Sequence, residues 1–199
     1  IALPTESAST IARECLGRNV EEKVLGSSRI GNLSAINPLN RYVAGLPGGV
    51  LAKALGLGGG SLTLDAACAS SIYAIKLAVD ELVSHRADAM LAGGLSRPDS
   101  LYTQMGFSQL RALSPSGHCA PFDVSGDGLV VGEGAGVLLL KRLGDALRDG
   151  DRIYGVIRGI GLSNDIGGSL LAPTSEGQLR AMRAAYNQAG WRPQTVDLI

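Results

Sequence analysis

Aromatic residues are scarce in this chain, histidine is scarcer, and neither sign of charge prevails. Phe, Trp and Tyr together make up 4% of the 199 residues, and His85 and His118 are the only histidines. With 18 Lys and Arg against 18 Asp and Glu the net charge is zero. That balance argues against a broad basic face for nucleic acid or for an anionic membrane. No apolar run approaches the ~20 residues of a membrane span. The N-terminus carries no charged segment followed by an apolar one, so no signal peptide is expected. The three cysteines, Cys15, Cys68 and Cys119, lie far apart without C-x-x-C spacing. Such a pattern fits neither a disulfide framework nor a zinc site and suits a reducing compartment. The protein is therefore expected in the cytoplasm, without a bound metal.

What is present is apolar and rich in glycine. Hydrophobic residues are 45% of the chain and charged residues 18%, enough to bury one sizeable core. No repeat, charge block or linker divides it, so residues 1–199 read as one continuous domain. The 28 glycines, about twice the usual share of roughly 7%, point to tight turns and close backbone approaches. The chain opens at Ile1 and stops at Val196-Asp197-Leu198-Ile199, where an apolar run is entering a strand. A fragment, truncated at both ends, is expected.

The elements alternate along the chain. A helix is predicted over Pro4–Gly17 and a second over Pro38–Leu57, interrupted near Pro47-Gly48-Gly49. Gly58-Gly59-Gly60 leads into a short strand, Ser61–Ala66. Within Ala69–Arg86 the residues Ile72, Ile75, Val79 and Leu82 recur at helical spacing, predicting an amphipathic helix with one buried face. A strand over Asp88–Leu95, a helical stretch over Leu101–Leu113 and a turn-rich loop over Ser114–Gly128 follow. Gly134–Leu143 reads as a strand buried on both faces through Val137-Leu138-Leu139-Leu140. Last come a helix over Leu143–Asp149 ended by Gly150, a strand over Ile153–Ile160, and a helix over Ser175–Ala189 ended by Gly190. Alternation of this kind implies an α/β layered fold with crossover connections.

The segment Thr63-Leu64-Asp65-Ala66-Ala67-Cys68-Ala69-Ser70-Ser71 carries the chemistry. A strand ends, a cysteine follows, and a helix begins at once. A thiol at a helix start faces unpaired N–H groups and the positive end of the helix dipole, both of which favour thiolate. The same N–H groups could hold the oxyanion formed when a thiolate attacks a thioester carbonyl. Small neighbours leave a passage for a substrate to the sulfur. The residues alone leave a second reading open, in which Cys68 is a small buried side chain packing a strand–helix junction, since no partner base stands beside it.

Asp65-Ala66-Ala67-Cys68-Ala69-Ser70-Ser71 resembles the active-site signature of the β-ketoacyl synthases, the condensing domains of fatty-acid and polyketide synthases. Further segments match in order: Ala92-Gly93-Gly94, Phe107 to Gly117, Pro121-Phe122-Asp123, Asp127-Gly128, Gly132-Glu133-Gly134-Ala135-Gly136, Leu139 to Leu143, Asn164-Asp165 and Ala172-Pro173-Thr174. Several ordered motifs are more specific than any one. The resemblance implies a thiolase-like α/β/α/β/α layered fold, of which this chain is most of the first half. It implies that Cys68 accepts an acyl group, its backbone N–H forming half of an oxyanion hole, and that a malonyl donor then condenses with it. It also implies an acyl carrier protein as partner, whose phosphopantetheine carries the substrates, and no bound cofactor. A homodimer is implied too, formed by pairing Ser61–Ala66 with its twin. Two histidines and a lysine complete the family's site, beyond where this chain stops, so residues 1–199 alone are expected to be inactive. Two alternatives stand beside this reading: a thiolase-like enzyme acting on coenzyme A thioesters, which the loop from Phe107 to Asp127 disfavours, and a non-catalytic partner of the chain-length-factor kind, which Cys68 disfavours.

The other candidates read more plainly. His85 and His118 do not match the family's histidines. His85 ends a helix, where its imidazole could bond free carbonyls. His118, Cys119 and Asp123 share one loop without a second ligand pair for a metal. Gly132-x-Gly134-x-Gly136 precedes a strand, unlike a dinucleotide fingerprint. Glu133 is expected to be a buried, hydrogen-bonded carboxylate holding the loop near Cys68.

Overall fold

A computed structural model describes residues 46–96, 100–168 and 173–197. The helix predicted over Pro4–Gly17, Cys15, and residues 38–45 of the second predicted helix lie outside them. The chain divides into two compact units, Ile1–Ile75 with Leu91–Leu139, and Lys76–Met90 with Leu140–Ile199.

In the first unit, helix α1 spans Leu46–Ala54. Pro47-Gly48-Gly49, where an interruption is expected, lies in its first turn, where proline loses no hydrogen bond because first-turn N–H groups have no partner within the helix. Gly48 sits against the segment leading to Cys68. A Cβ there would lie 2.9 Å from the Leu62 carbonyl oxygen, so glycine permits the approach.

Residues 61–66 do not form the expected strand, for only Leu64 makes an isolated bridge. A 3-10 turn, Ala67–Ala69, leads into helix α2, Ser70–Val83. Its buried residues are Ala74, Ala78 and Leu82, an i, i+4, i+8 stripe. Of the expected face only Leu82 is buried, while Ile75 and Val79 are half-buried and Ile72 is exposed. Alanine rows let neighbouring backbone come close, and so they set the packed face.

Strand β1, Ala89–Ser96, pairs with strand β2, Gly134–Lys141, in a two-stranded sheet. Ala92 and Gly93 are buried. Any Cβ on Gly93 would collide with the Gly136 carbonyl oxygen of β2. One on Gly94 would lie 3.1 Å from Ser71 Cβ in the first turn of α2. The glycine pair thus brings β1 against β2 on one side and against the helix start on the other. Contrary to expectation, β2 is not buried on both faces, and Leu139 is 71% exposed. It has one strand beside it, and the described residues do not cover its faces.

Helix α3, Ser100–Gln109, stops short of the expected Leu113. Arg111 takes a φ of 52°, and Ala112 N–H bonds back to the Phe107 carbonyl at 2.9 Å, which turns the chain. The loop that follows is closed at its base by Leu129 N–H to the Ala112 carbonyl, 2.8 Å, and Ser114 N–H to the Leu129 carbonyl, 2.9 Å. Inside the loop the Asp127 carboxylate accepts the Ser114 hydroxyl and the Ser116 N–H. The Ser114 and Ser116 hydroxyls, with that N–H, hold the Asp127 carboxyl below the usual carboxylate range.

In the second unit, α2 closes on His85, whose backbone takes a φ of 56°. Its N–H bonds to the Leu82 carbonyl at 3.1 Å, and Arg86 N–H to the Glu81 carbonyl at 3.0 Å. Arg142 seals the same end, donating to the Leu82 and Ala87 carbonyls at 2.9 and 2.7 Å and to the Asp88 and Asp145 carboxylates. Helix α4, Leu143–Asp149, ends at left-handed Gly150 as expected, and helix α5, Ser175–Ala189, at left-handed Gly190.

Residues 153–160 are not a strand. No ladder partner lies beside them among the described residues, and the segment docks on α5 at its C-terminal end. Ile160 N–H donates to Gln188 Oε1 at 2.7 Å, and Ser163 Oγ to the Gly177 carbonyl at 2.6 Å. Gly159 and Gly161 lie against the backbone of Ala185 and Ala181. A little further on, Asp165 accepts the N–H and hydroxyl of Thr174, which ties Asp165 to the residue ahead of α5.

Two outcomes follow from this packing. Gly161→Ala places a methyl group inside contact distance of the Ala181 carbonyl and should cost about 3 kcal/mol in chemical denaturation. Gly155→Ala, which meets open space, should cost roughly 0.5 kcal/mol or less. For Asp127, a carboxyl held below its unfolded value adds stability that is complete above the unfolded pKa of about 4. That stability is lost as pH falls through the lower folded value. Asp127→Asn should therefore unfold at a lower temperature than the unaltered protein at pH 7, and the gap should close on acidification below about pH 4.

Candidate active site

Cys68 is exposed, in the middle of the 3-10 turn Ala67–Ala69. The residues flanking it in sequence are small, and Ala67 and Ala69 are exposed. The turn's first hydrogen bond runs from Ala69 N–H to the Ala66 carbonyl, 3.1 Å. Cys68 N–H lies ahead of that bond, among the first-turn donors of a helix start. This is where a carbonyl oxygen turning into an oxyanion would find a donor.

The peptide before the cysteine is unusual. Ala67 takes a φ of 50°, a left-handed conformation that costs a residue with a Cβ about 1–2 kcal/mol. It is held from both sides. Ala67 N–H donates to Asp65 Oδ1 at 2.8 Å, and the Ala67 carbonyl accepts the Ser70 hydroxyl at 2.7 Å. The same hydroxyl accepts Ala66 N–H at 2.8 Å. Every backbone polar group of Ala66 and Ala67 is thus engaged. Ser70 itself is buried. In the sequence Ser70 reads only as a small neighbour of the cysteine. A hydroxyl at the first helical residue and a carboxylate two residues before the turn are the available signals, since both side chains bond nearby backbone in preference to continuing a helix.

The remaining candidates do not assemble around the cysteine. His118, Cys119 and Asp123 are exposed in the loop after α3. His118 N–H donates to Ser116 Oγ, 3.2 Å, and Asp123 accepts Ser125 N–H, 2.8 Å. Among the described residues no group of three or more His, Cys, Asp or Glu is placed to hold a metal ion. Glu133 is exposed, correcting the expectation of a buried carboxylate: it precedes a strand whose face is itself uncovered. His85 contributes its backbone to a helix end and its side chain to the surface. No helix among the described residues is long and apolar enough to cross a membrane.

Known proteins are similar to this chain in sequence and fold. The family model for the β-ketoacyl synthase N-terminal domain matches residues 14–146, and that for the C-terminal domain matches residues 154–199. The second match begins within what reads from sequence as one continuous domain. The mycocerosic acid synthase-like polyketide synthase of Mycolicibacterium smegmatis is 43% identical over 155 residues, 77% of this chain and 7% of that protein. Among solved structures, the PfaC keto synthase-chain length factor is 49% identical with a TM-score of 0.74, covering 78% of this chain and 17% of the other. The ketosynthase from module 6 of the bacillaene synthase of Bacillus subtilis is 35% identical with a TM-score of 0.72, covering 79% and 28%. The chain thus spans under a third of the length of these relatives. Its fold is the thiolase-like α/β fold of the ketosynthases. With the cysteine signature, the glycine pair of β1 and the Ser114–Asp127 loop in family order, the chain belongs to the β-ketoacyl synthase family.

Proposed function

We propose that this chain supplies the acyl-accepting part of a decarboxylative Claisen condensation, with Cys68 as nucleophile. The observation that carries the reading is an exposed cysteine on a held turn at a helix start, within the matched family segment. The Cys68 thiolate attacks the carbonyl of an acyl thioester, and the carrier thiol leaves with a proton. Malonyl-carrier protein then loses carbon dioxide. The resulting carbanion attacks the Cys68 thioester, a carbon–carbon bond forms, and the carbon–sulfur bond breaks to return the thiolate. Cys68 N–H is placed to stabilise the oxyanion at both addition steps, as half of the hole. The substrates ride on the phosphopantetheine arm of an acyl carrier protein, so the chain needs no cofactor of its own.

The groups that activate the malonyl donor belong, on the family resemblance, to residues beyond Ile199. Residues 1–199 alone are then half a catalyst. The working enzyme is a cytoplasmic homodimer in which residues 61–66 pair with the same segment of a second copy. The relatives' names favour a ketosynthase over an enzyme acting on coenzyme A thioesters, and the presence of Cys68 favours it over a chain-length factor.

In the full-length protein, Cys68→Ala should lower condensation by about a thousandfold or more, about 4 kcal/mol in the barrier, while Cys119→Ala stays within roughly threefold. Assaying acyl thioester with malonyl-carrier protein checks this, and condensation surviving Cys68→Ala overturns the assignment. Sedimentation of the full-length protein at micromolar concentration should show a dimer. A monomer there would rule out the 61–66 pairing.

A further inference from the structure

We propose that Ser70 and Asp65 are positioning residues for Cys68: together they hold the Ala67 peptide at its positive φ, and this fixes the direction in which the cysteine sulfur and N–H leave the turn. The proposal rests on the reading of Cys68 as the acyl acceptor and goes beyond it in naming what aims it.

Left unheld, the segment would continue the helix that follows it. Ala66, Ala67, Cys68 and Ala69 stand directly before an α-helix, and alanine is the best helix former. The cheapest arrangement for such a run is a helix extended by one turn towards the N-terminus. Cys68 would then be an interior helical residue, with its side chain laid back along the helix surface. In the structure the α-helix instead begins at Ser70, after the 3-10 turn, with Ala67 at a φ of 50°.

Three contacts prevent the extension. Asp65 Oδ1 takes Ala67 N–H at 2.8 Å, Ser70 Oγ takes Ala66 N–H at 2.8 Å, and the Ser70 hydroxyl donates to the Ala67 carbonyl at 2.7 Å. In an extended helix the Ala66 carbonyl would accept from Ser70 N–H. Here it accepts from Ala69 N–H, and Ser70 N–H goes to the Ala67 carbonyl. Ser70 can act as an anchor because it is buried, at 8% exposed. Its neighbour Ser71 lies close against β1, where a Cβ on Gly94 would stand 3.1 Å from Ser71 Cβ. The side chain that holds the turn is therefore itself held.

The test uses the full-length protein and an acyl N-acetylcysteamine thioester, following acylation of Cys68 by intact mass. Ser70→Ala should slow acylation by about tenfold or more, because a nucleophile displaced by an ångström loses far more than binding. A purely structural role would predict the same loss, so a second change separates them. Glycine adopts positive φ without help, and adding Ala67→Gly to Ser70→Ala should recover about threefold or more of the lost rate. No recovery, or an undiminished rate in Ser70→Ala, overturns the proposal while leaving Cys68 as acceptor. If Ser70→Ala does not fold, Asp65→Ala at its exposed position carries the same pair of measurements. An unaltered protein that takes no acyl group at Cys68 overturns the ketosynthase reading itself.

Discussion

A reactive side chain can be set out on a turn only where the peptide before it is kept from its preferred conformation. In this chain that peptide is Ala67. Alanine at a φ of 50° is unfavourable, and Ala67 is exposed rather than packed. Directed hydrogen bonds hold it there, from a carboxylate on one side and a buried hydroxyl on the other. The exposure of Cys68, the start of α2 at Ser70 and the placement of Cys68 N–H ahead of the turn's own bonds all depend on that hold.

Close backbone contact supports the same region. Gly48 brings α1 against Leu62, Gly93 brings β1 against Gly136, and Gly94 brings β1 against Ser71. A Cβ on Gly93 would collide with a carbonyl, and one on Gly48 or Gly94 would crowd a carbonyl or a side-chain carbon. The second unit uses the same device, with Gly159 and Gly161 laid on the alanine face of α5. Glycine abundance in this protein therefore reflects contact rather than slack. Charged groups act differently, at the ends of elements. Arg142 satisfies two carbonyls at the close of α2 while bonding two carboxylates, and Lys141 bridges Asp149 and Asp151 at the end of α4, each at 2.6 Å.

The helices with clear punctuation were legible from the sequence. Leu143–Asp149 and Ser175–Ala189 stand where Gly150 and Gly190 end them, because a left-handed cap is a local event that glycine alone makes cheap. The cysteine at a helix start was legible for the same reason, as were the ordered motifs that place the chain in its family. Strands were less so. Ala89–Ser96 and Gly134–Lys141 formed, but 61–66 and 153–160 did not, since a strand is a property of two segments and the second is not written in the first.

By itself the sequence determined the elements whose bonds close within a few residues, together with the family to which the chain belongs. Tertiary structure decided the rest. The buried stripe of α2 runs through Ala74, Ala78 and Leu82 rather than through Ile72, because what lies opposite selects the face, and small residues admit it more closely than large ones. Glu133 is exposed and Ser70 is buried, the reverse of what their surroundings in sequence suggest, because burial depends on distant chain. The conformation of Ala67 likewise belongs to no residue alone. It exists because a hydroxyl three residues later is fixed by a helix, and that helix start is braced by a glycine of β1.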